Sequence, residues 1–282
     1  MSGADNPRPF FLLGSAGKLF AIFYPPSSRT STRQVIVHAP AFAEEMNKAR
    51  RMVSLQAVEL ARHGVGVLIF DLFGTGDSEG DFGEARWDLW LEDLGTACRW
   101  VGNQGIERIS LWGLRMGALL AMDFAARWKD PFENLILWQP ALNGKTLIVQ
   151  FLRLRVASAL FASDGNAKSE TTSELRDRLL AGQSVEAAGY ELGPELVNPL
   201  MKLRLAHFEI FPFKKIHLFE LVSEPGKPGS AANREWVSAM QEKGSSVDHE
   251  TVPGPQFWST QEIAVVPMLL EKTVHCLIGH GI

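Results

Sequence analysis

Apolar residues fall along this chain in short, nearly continuous blocks that alternate with longer stretches of helical spacing. "FFLLGSAGKLFAIFYPP" holds two apolar–aromatic runs split by Gly and Ser, which predicts an antiparallel hairpin over residues 10–25. In "RQVIVHAP", Val35, Ile36 and Val37 read as a short buried strand ending at His38. "NKARRMVSLQAVELARHG" places Met52, Leu55, Val58 and Leu60 at helical spacing and stops at Gly64. "VGVLIFDL" is the near-continuous run of a parallel strand covered on both faces. A polar loop, "GTGDSEGDFG", leads to a Trp-rich helix from about Arg86 to Val101, a strand "RISLWGL", a helix reaching Trp128 and a strand "NLILWQPAL". This alternation predicts an α/β protein with a doubly wound, mostly parallel sheet.

The alternation breaks after residue 144. Lys145 to His207 shows no good strand, but it holds at least two amphipathic helical segments, "LIVQFLRLRVASALFA" and one opening at "TTSELRDRLLAG". In the second, Thr171 and Glu174 fit a capping box and Gly182 a helix stop. The pattern resumes with "KIHLFELVS", a helix "AANREWVSAMQEKG", a strand "SVDHETVPG" and a terminal helix from about Ile263 to Ile278. The expected organisation is a core over 1–144, an inserted helical lid over 145–210 and the rest of the core over 211–282.

Composition narrows the function classes. The 282 residues are 46% hydrophobic and 21% charged, with a net charge of −4 that argues against nucleic acid as partner. The two cysteines, Cys98 and Cys276, sit in helix-like segments and offer neither a disulfide framework nor a metal site. The amino terminus lacks a signal-peptide pattern, and no apolar run approaches the ~18 residues that span a bilayer, so a cytoplasmic protein without a transmembrane segment is expected. "GTGDSEGDFG" lacks the Lys-Ser/Thr ending of a P-loop and the glycine spacing of a dinucleotide site, and the acidic patches lack metal spacing. No cofactor and no metal are therefore expected. Asp77 and Ser78 read as residues that hold the loop's own turns through their side chains. Trp87, Trp90, Trp100, Trp112 and Trp138 read as core.

One stretch carries candidate chemistry. "LWGLRMGALLAMDFAARW", Leu111 to Trp128, has the strand–turn–helix shape of a nucleophile elbow, G-x-S-x-G, with Arg115 at its centre. Together with the strand ending at His38, the loop "FDLFGTGDSEG" and the helical insertion, it resembles the α/β-hydrolase fold. "HAPAFAEEMNKARRM", "GDSEGDFGEARWDLWLEDL", "LWGLRMGALLA", "FLRLRVA" and "VPGPQFWSTQEI" further resemble the exosortase A system-associated hydrolase 2 group. That group is found in Gram-negative bacteria that make exopolysaccharide and sort PEP-CTERM proteins. The resemblance implies hydrolysis; fold by itself does not.

A serine hydrolase needs a nucleophile, an acid and a histidine, in that chain order in this fold. Guanidinium at Arg115 has no usable lone pair and cannot attack a carbonyl. The histidine slot, "VPGPQFW", holds Gln256, which accepts no proton near neutral pH. Cys98 and Ser110 lie off the elbow, while His249, His275 and His280 read as surface or helix-end residues. Glu224 is the nearest carboxylate to the acid slot, and without a histidine it has no task. The oxyanion donors would be the Met116 amide and one from Ala41 or Phe42, since Pro40 has no N–H. His38 reads as a strand-end histidine satisfied by the loop after it.

An arginine at a helix amino terminus suits an anion. One reading is an anion pocket at Arg115, with Met116, Ala41, Phe42 and His38 around it and Lys48, Arg50, Arg51, Arg153 and Arg155 pointing the same way. Its ligand would be an acyl carboxylate or other anionic small molecule, a phosphorylated lipid carrier or an acidic glycan. The other reading is a buried ion pair of Arg115 with Glu44, Glu45 or Asp71. Three functions stay open: a hydrolase-derived protein binding a ligand or a protein partner of the exosortase system, an active hydrolase of ester, thioester or acyl-sugar bonds with a non-standard site, or a structural partner docking through its lid helices.

Overall fold

Both periodicities read from the sequence produce the elements they imply. The computed structural model describes residues 6–27, 33–162, 170–208 and 212–278. Strands β1 (Arg8–Leu13) and β2 (Lys18–Tyr24) form the amino-terminal hairpin, followed by β3 (Gln34–Ala39), α1 (Glu44–Arg62) and β4 (Gly66–Phe70). Then come α2 (Trp87–Asn103), β5 (Arg108–Leu114), α3 (Met116–Arg127) and β6 (Phe132–Trp138). After β6 lie α4 (Gly144–Ala162), α5 (Thr172–Leu180), β7 (Val185–Ala187), β8 (Tyr190–Leu192) and α6 (Pro194–Lys202). The chain closes with β9 (Phe213–Val222), α7 (Ala231–Glu242), β10 (Val247–Pro253) and α8 (Pro267–Ile278).

Among the described residues the main sheet has eight strands in the order β1-β2-β4-β3-β5-β6-β9-β10. β1–β2 and β2–β4 pair antiparallel and every later neighbour pairs parallel. This is the α/β-hydrolase fold. One core layer packs α2, α3 and α7 against the sheet, through residues such as Trp90, Leu119 and Trp236. The other packs α1 and α8 against Trp112 and Trp138. Each fully buried large side chain contributes roughly 1.5–3 kcal/mol.

Four expectations need correction. The stretch from Lys145 to His207 does contain strands: β7 and β8 pair antiparallel around Ala188 and Gly189, both at positive φ (50° and 82°). Three-residue strands are too short to show alternation, and an Ala-Gly turn hides the primed geometry that Asn-Gly would announce. α8 begins at Pro267 rather than Ile263, because Pro267 fixes φ at the first helical position. α1 begins at Glu44, its first turn carrying Glu44 and Glu45 against the helix dipole. β3 ends at Ala39, one residue past His38. The α5 cap forms as read, with Thr171 Oγ1 accepting from the Glu174 amide (3.2 Å) and Glu174 Oε2 accepting from the Thr171 amide (2.7 Å).

Candidate functional site

The elbow is built by two glycines. A Cβ on Gly113 would stand 2.6 Å from the Ala118 nitrogen, and one on Gly117 would overlap the Ala39 carbonyl oxygen. Their absence lets α3 start hard against the ends of β5 and β3. Arg115, between β5 and α3, takes φ 54°, ψ −111°, a conformation unfavourable for a side-chain-bearing residue. Its backbone is pinned on both sides: its N–H donates to the Trp138 carbonyl (3.1 Å) and its carbonyl accepts from Ala141 (3.0 Å). The side chain is thereby presented at the carboxyl edge of the sheet.

Arg115 Nε donates to Glu45 Oε1 at 3.1 Å, and the guanidinium carbon lies 5.4 Å from the centre of the Trp258 ring, within cation–π range. Of the three carboxylates considered as partner, Glu45 is the one chosen. Asp71 is held by Arg50 Nη2 (3.0 Å) and the Asp77 amide (3.0 Å), and Glu44 accepts from the Tyr190 hydroxyl (3.4 Å). The pair is one-ended. Among the described residues neither Nη of Arg115 has a partner, and Glu45 Oε2 is buried with none. Burial pushes the Glu45 carboxyl above its ordinary range, and the Arg115 charge and hydrogen bond pull against that.

Arg115 lines a cleft of about 420 Å³. Glu44, Glu45 and Lys48 from the first turns of α1 form one side, with Phe42 before them. Leu147, Gln150, Phe151 and Leu154, spaced three, four and seven along α4, form the opposite side, and Gln256, Trp258 and Ser259 close the end. Of the expected site residues, Arg115, Phe42 and Gln256 therefore come together, with Lys48. The α4 stripe, Trp258, Ser259 and Gln139 were missed, because nothing in sequence places segments so far apart around one space. The helical spacing of Leu147, Phe151 and Leu154 was the one signal available.

Other expected members lie elsewhere. His38 and Ala41 line a separate cavity of about 80 Å³ with Arg50 and Asp71. His38 is held by the neighbouring strand rather than by the loop: its Nδ1 donates to the Trp112 carbonyl (3.1 Å), opposite it in the β3–β5 register. Burial drives its pKa down to about 3, only partly opposed by that hydrogen bond. The expectation for Met116 concerns its backbone amide, and its side chain is wholly buried in the core; Glu224 is exposed in the turn after β9. Arg50 is taken by Asp71, and Arg155 by Glu170 and the Glu186 carbonyl; Arg51 and Arg153 are exposed and do not line the cleft. His249 is not a surface histidine: its Nε2 lies 3.1 Å from Glu220 Oε2, diagonally across β9 and β10. Burial raises the Glu220 pKa, but hydrogen bonds from His249, Asn233 and Ser230 outweigh it and hold it at about 2. Cys98 is buried, its thiol pushed up by desolvation, and Ser110 Oγ accepts from Gln34 Nε2. Ser78 holds its loop as read, through Oγ to the Asp71 carbonyl (2.6 Å), whereas Asp77 contributes its backbone amide. His280 lies outside the described residues.

The family model described as serine aminopeptidase, S33 matches residues 30–178, more than half of the chain and inclusive of the elbow. The chain belongs to this S33 family. No curated protein matches its sequence. Est1E from Butyrivibrio proteoclasticus, solved with ferulic acid bound, is similar at a TM-score of 0.64 and 17% identity, over 95% of this chain and 98% of that one. A carboxyl esterase from Bacillus coagulans, in complex with glycerol, is similar at 0.59 and 15%, over 98% of each chain. XC6422 from Xanthomonas campestris, described as a serine hydrolase without lid, is similar at 0.56 and 14%, over 98% of this chain and 97% of that one. At these identities the likeness is one of fold. Among the described residues of this S33 member, no helix is long and apolar enough to cross a membrane.

Proposed function

We propose that this S33-family chain binds an anionic ligand in the cleft at Arg115 and does not carry out the serine-hydrolase reaction. The observation behind this is the half-used guanidinium: Arg115 stands at the elbow apex, lines the cleft, and offers two Nη groups with no partner among the described residues. A guanidinium binds carboxylate or phosphate but does not attack a carbonyl. The described residues lining the cleft include no histidine and no cysteine; the hydroxyl there, Ser259, lies 3.1 Å from the Gln256 carbonyl and has no base beside it. The setting we attach is a bacterial step linked to exopolysaccharide and exosortase processing, which rests on the sequence resemblance, in the cytoplasm, which rests on the chain's composition.

The test is turnover of short- and medium-chain p-nitrophenyl esters and acyl thioesters, beside anion binding, in the wild type and Arg115→Ala. No turnover is expected in either protein. Anion affinity is expected to fall roughly 10- to 100-fold in the variant, the effect of losing charge-assisted hydrogen bonds. Ester turnover in the wild type that vanishes in Arg115→Ala would overturn the proposal.

A further inference from the structure

We infer that the ligand of this cleft is a monocarboxylate with an apolar body, a medium-chain acyl or aryl acid, rather than a phosphate or an acidic polysaccharide. The inference rests on the anion-binding reading and narrows it by three observations.

The first is charge. The cleft presents two cations, Arg115 and Lys48, and two carboxylates, Glu44 and Glu45. Glu45 already takes Arg115 Nε, and its second oxygen is a buried acceptor with no donor. A ligand with one negative charge meets the free Nη groups and leaves that balance tolerable. A phosphate dianion or a polyacid brings further negative oxygens against the same two carboxylates in a space where water screens poorly.

The second is donor geometry. With Nε occupied, the remaining edge of the guanidinium is the Nη1–Nη2 pair, two parallel donors that match the two oxygens of a carboxylate. The Trp258 ring, 5.4 Å from the guanidinium carbon, holds the plane in place.

The third is the opposite wall. Leu147, Phe151 and Leu154 line the cleft from successive turns of α4, the first two buried and Leu154 exposed. Leu154 is 49% exposed, one of six large apolar side chains left open to solvent among the described residues. Phe42 and Trp258 add aromatic surface. A ligand of charge alone has no use for this stripe; an alkyl or aryl body covers it. The volume of about 420 Å³ falls in the range of small-molecule sites.

The experiment is titration calorimetry of the full chain with acetate, octanoate, octanol and octyl phosphate at pH 8, weak binders being read by competition. Octanoate is expected to bind at least 30-fold tighter than acetate, since each buried methylene multiplies affinity about fourfold. It is also expected to bind tighter than octyl phosphate and octanol. Leu154→Gln, an uncharged change at an exposed position, is expected to lower the ratio of octanoate to acetate affinity at least 10-fold. Equal binding of acetate and octanoate, or tighter binding of octyl phosphate, overturns this inference and leaves the anion cleft standing. Octanol binding as tightly as octanoate, unchanged in Arg115→Ala, or no binding of any anion, removes the anion-binding reading itself.

Discussion

Gly117→Ala is expected to destabilise the protein severely, although alanine is the better helix former. The position is the second residue of α3, and a Cβ there would overlap the Ala39 carbonyl oxygen and stand 2.7 Å and 2.8 Å from the Ala39 carbonyl carbon and the Pro40 oxygen. These are backbone atoms at the end of a fully buried strand, and no side-chain rotation relieves them. α3 would have to shift away from β3, opening the layer filled by Leu119, Leu120 and Met122 and dragging Arg115 with it. Overpacking against backbone atoms costs about 3 kcal/mol or more, a large share of the 5–15 kcal/mol that holds a domain folded. Gly102→Ala is the control. That glycine lies in α2 and a Cβ there meets nothing within 4 Å, so the same substitution is expected to stabilise by about 0.5–1 kcal/mol. Urea unfolding followed by far-UV circular dichroism compares the two. A midpoint for Gly117→Ala within error of the wild type would show that α3 and β3 do not meet as described.

The two glycines of the elbow, Gly113 and Gly117, also show how far the sequence carries. The elbow was legible because Gly113 and Gly117 flank Arg115 at the boundary between a strand pattern and a helix pattern, and both patterns were long. The sheet and its winding followed from the same alternation. Arg115's partner was not legible: three carboxylates were candidates, and Glu45 is left as the partner because Arg50 and the Asp77 amide take Asp71 while Tyr190 takes Glu44. The His249–Glu220 contact needed the β9–β10 register, which puts Thr251 opposite Glu220 and His249 one diagonal away; each residue alone reads as a mid-strand polar position. The cleft wall on α4 carried a helical period, but which side of that helix faces Arg115 depends on how the chain returns from β6, a matter of tertiary packing.

Asp93→Asn is expected to turn a small stability difference at pH 5 into a large one at pH 8. Asp93, 1% exposed in α2, accepts from the Phe73 amide at 2.9 Å. Burial pushes its pKa up to about 7, the Phe73 amide pulling back and the Glu92 charge adding to the push. A carboxyl whose folded pKa is raised binds its proton more tightly in the native state, so its stabilising contribution is present at low pH and lost as pH rises toward 7. His38 and His217, each 2% exposed, have the opposite sign. Burial is the main cause that lowers them to about 3 and about 4, so the unfolded chain takes up protons first below 6.5 and stability falls as pH falls. Between about pH 6.5 and 4.5 Asp93 therefore offsets one histidine, and Glu45, also raised, works in the same direction as Asp93. The wild-type profile is expected to be shallow there because opposing titrations meet, not because nothing titrates. Asparagine keeps an acceptor for the Phe73 amide and removes the charge. The advantage of the variant over the wild type is expected to grow by roughly 3 kcal/mol from pH 5 to pH 8, two pH units below the folded pKa at about 1.4 kcal/mol each. Its profile below pH 6.5 should steepen by one proton. His217→Leu is expected to do the reverse, flattening the acid side by one proton at little cost near pH 7, because neither ring nitrogen of His217 makes a hydrogen bond among the described residues and the Asp248 carboxylate, 3.5 Å from Nδ1, is half exposed and stays solvated without it. Urea unfolding of the three proteins at pH 5, 6, 7 and 8 measures all of this. An Asp93→Asn difference that stays constant across that range would mean that Asp93 titrates alike in the folded and unfolded chains, and that the acid buried under Phe73 is not held in its protonated form by the fold.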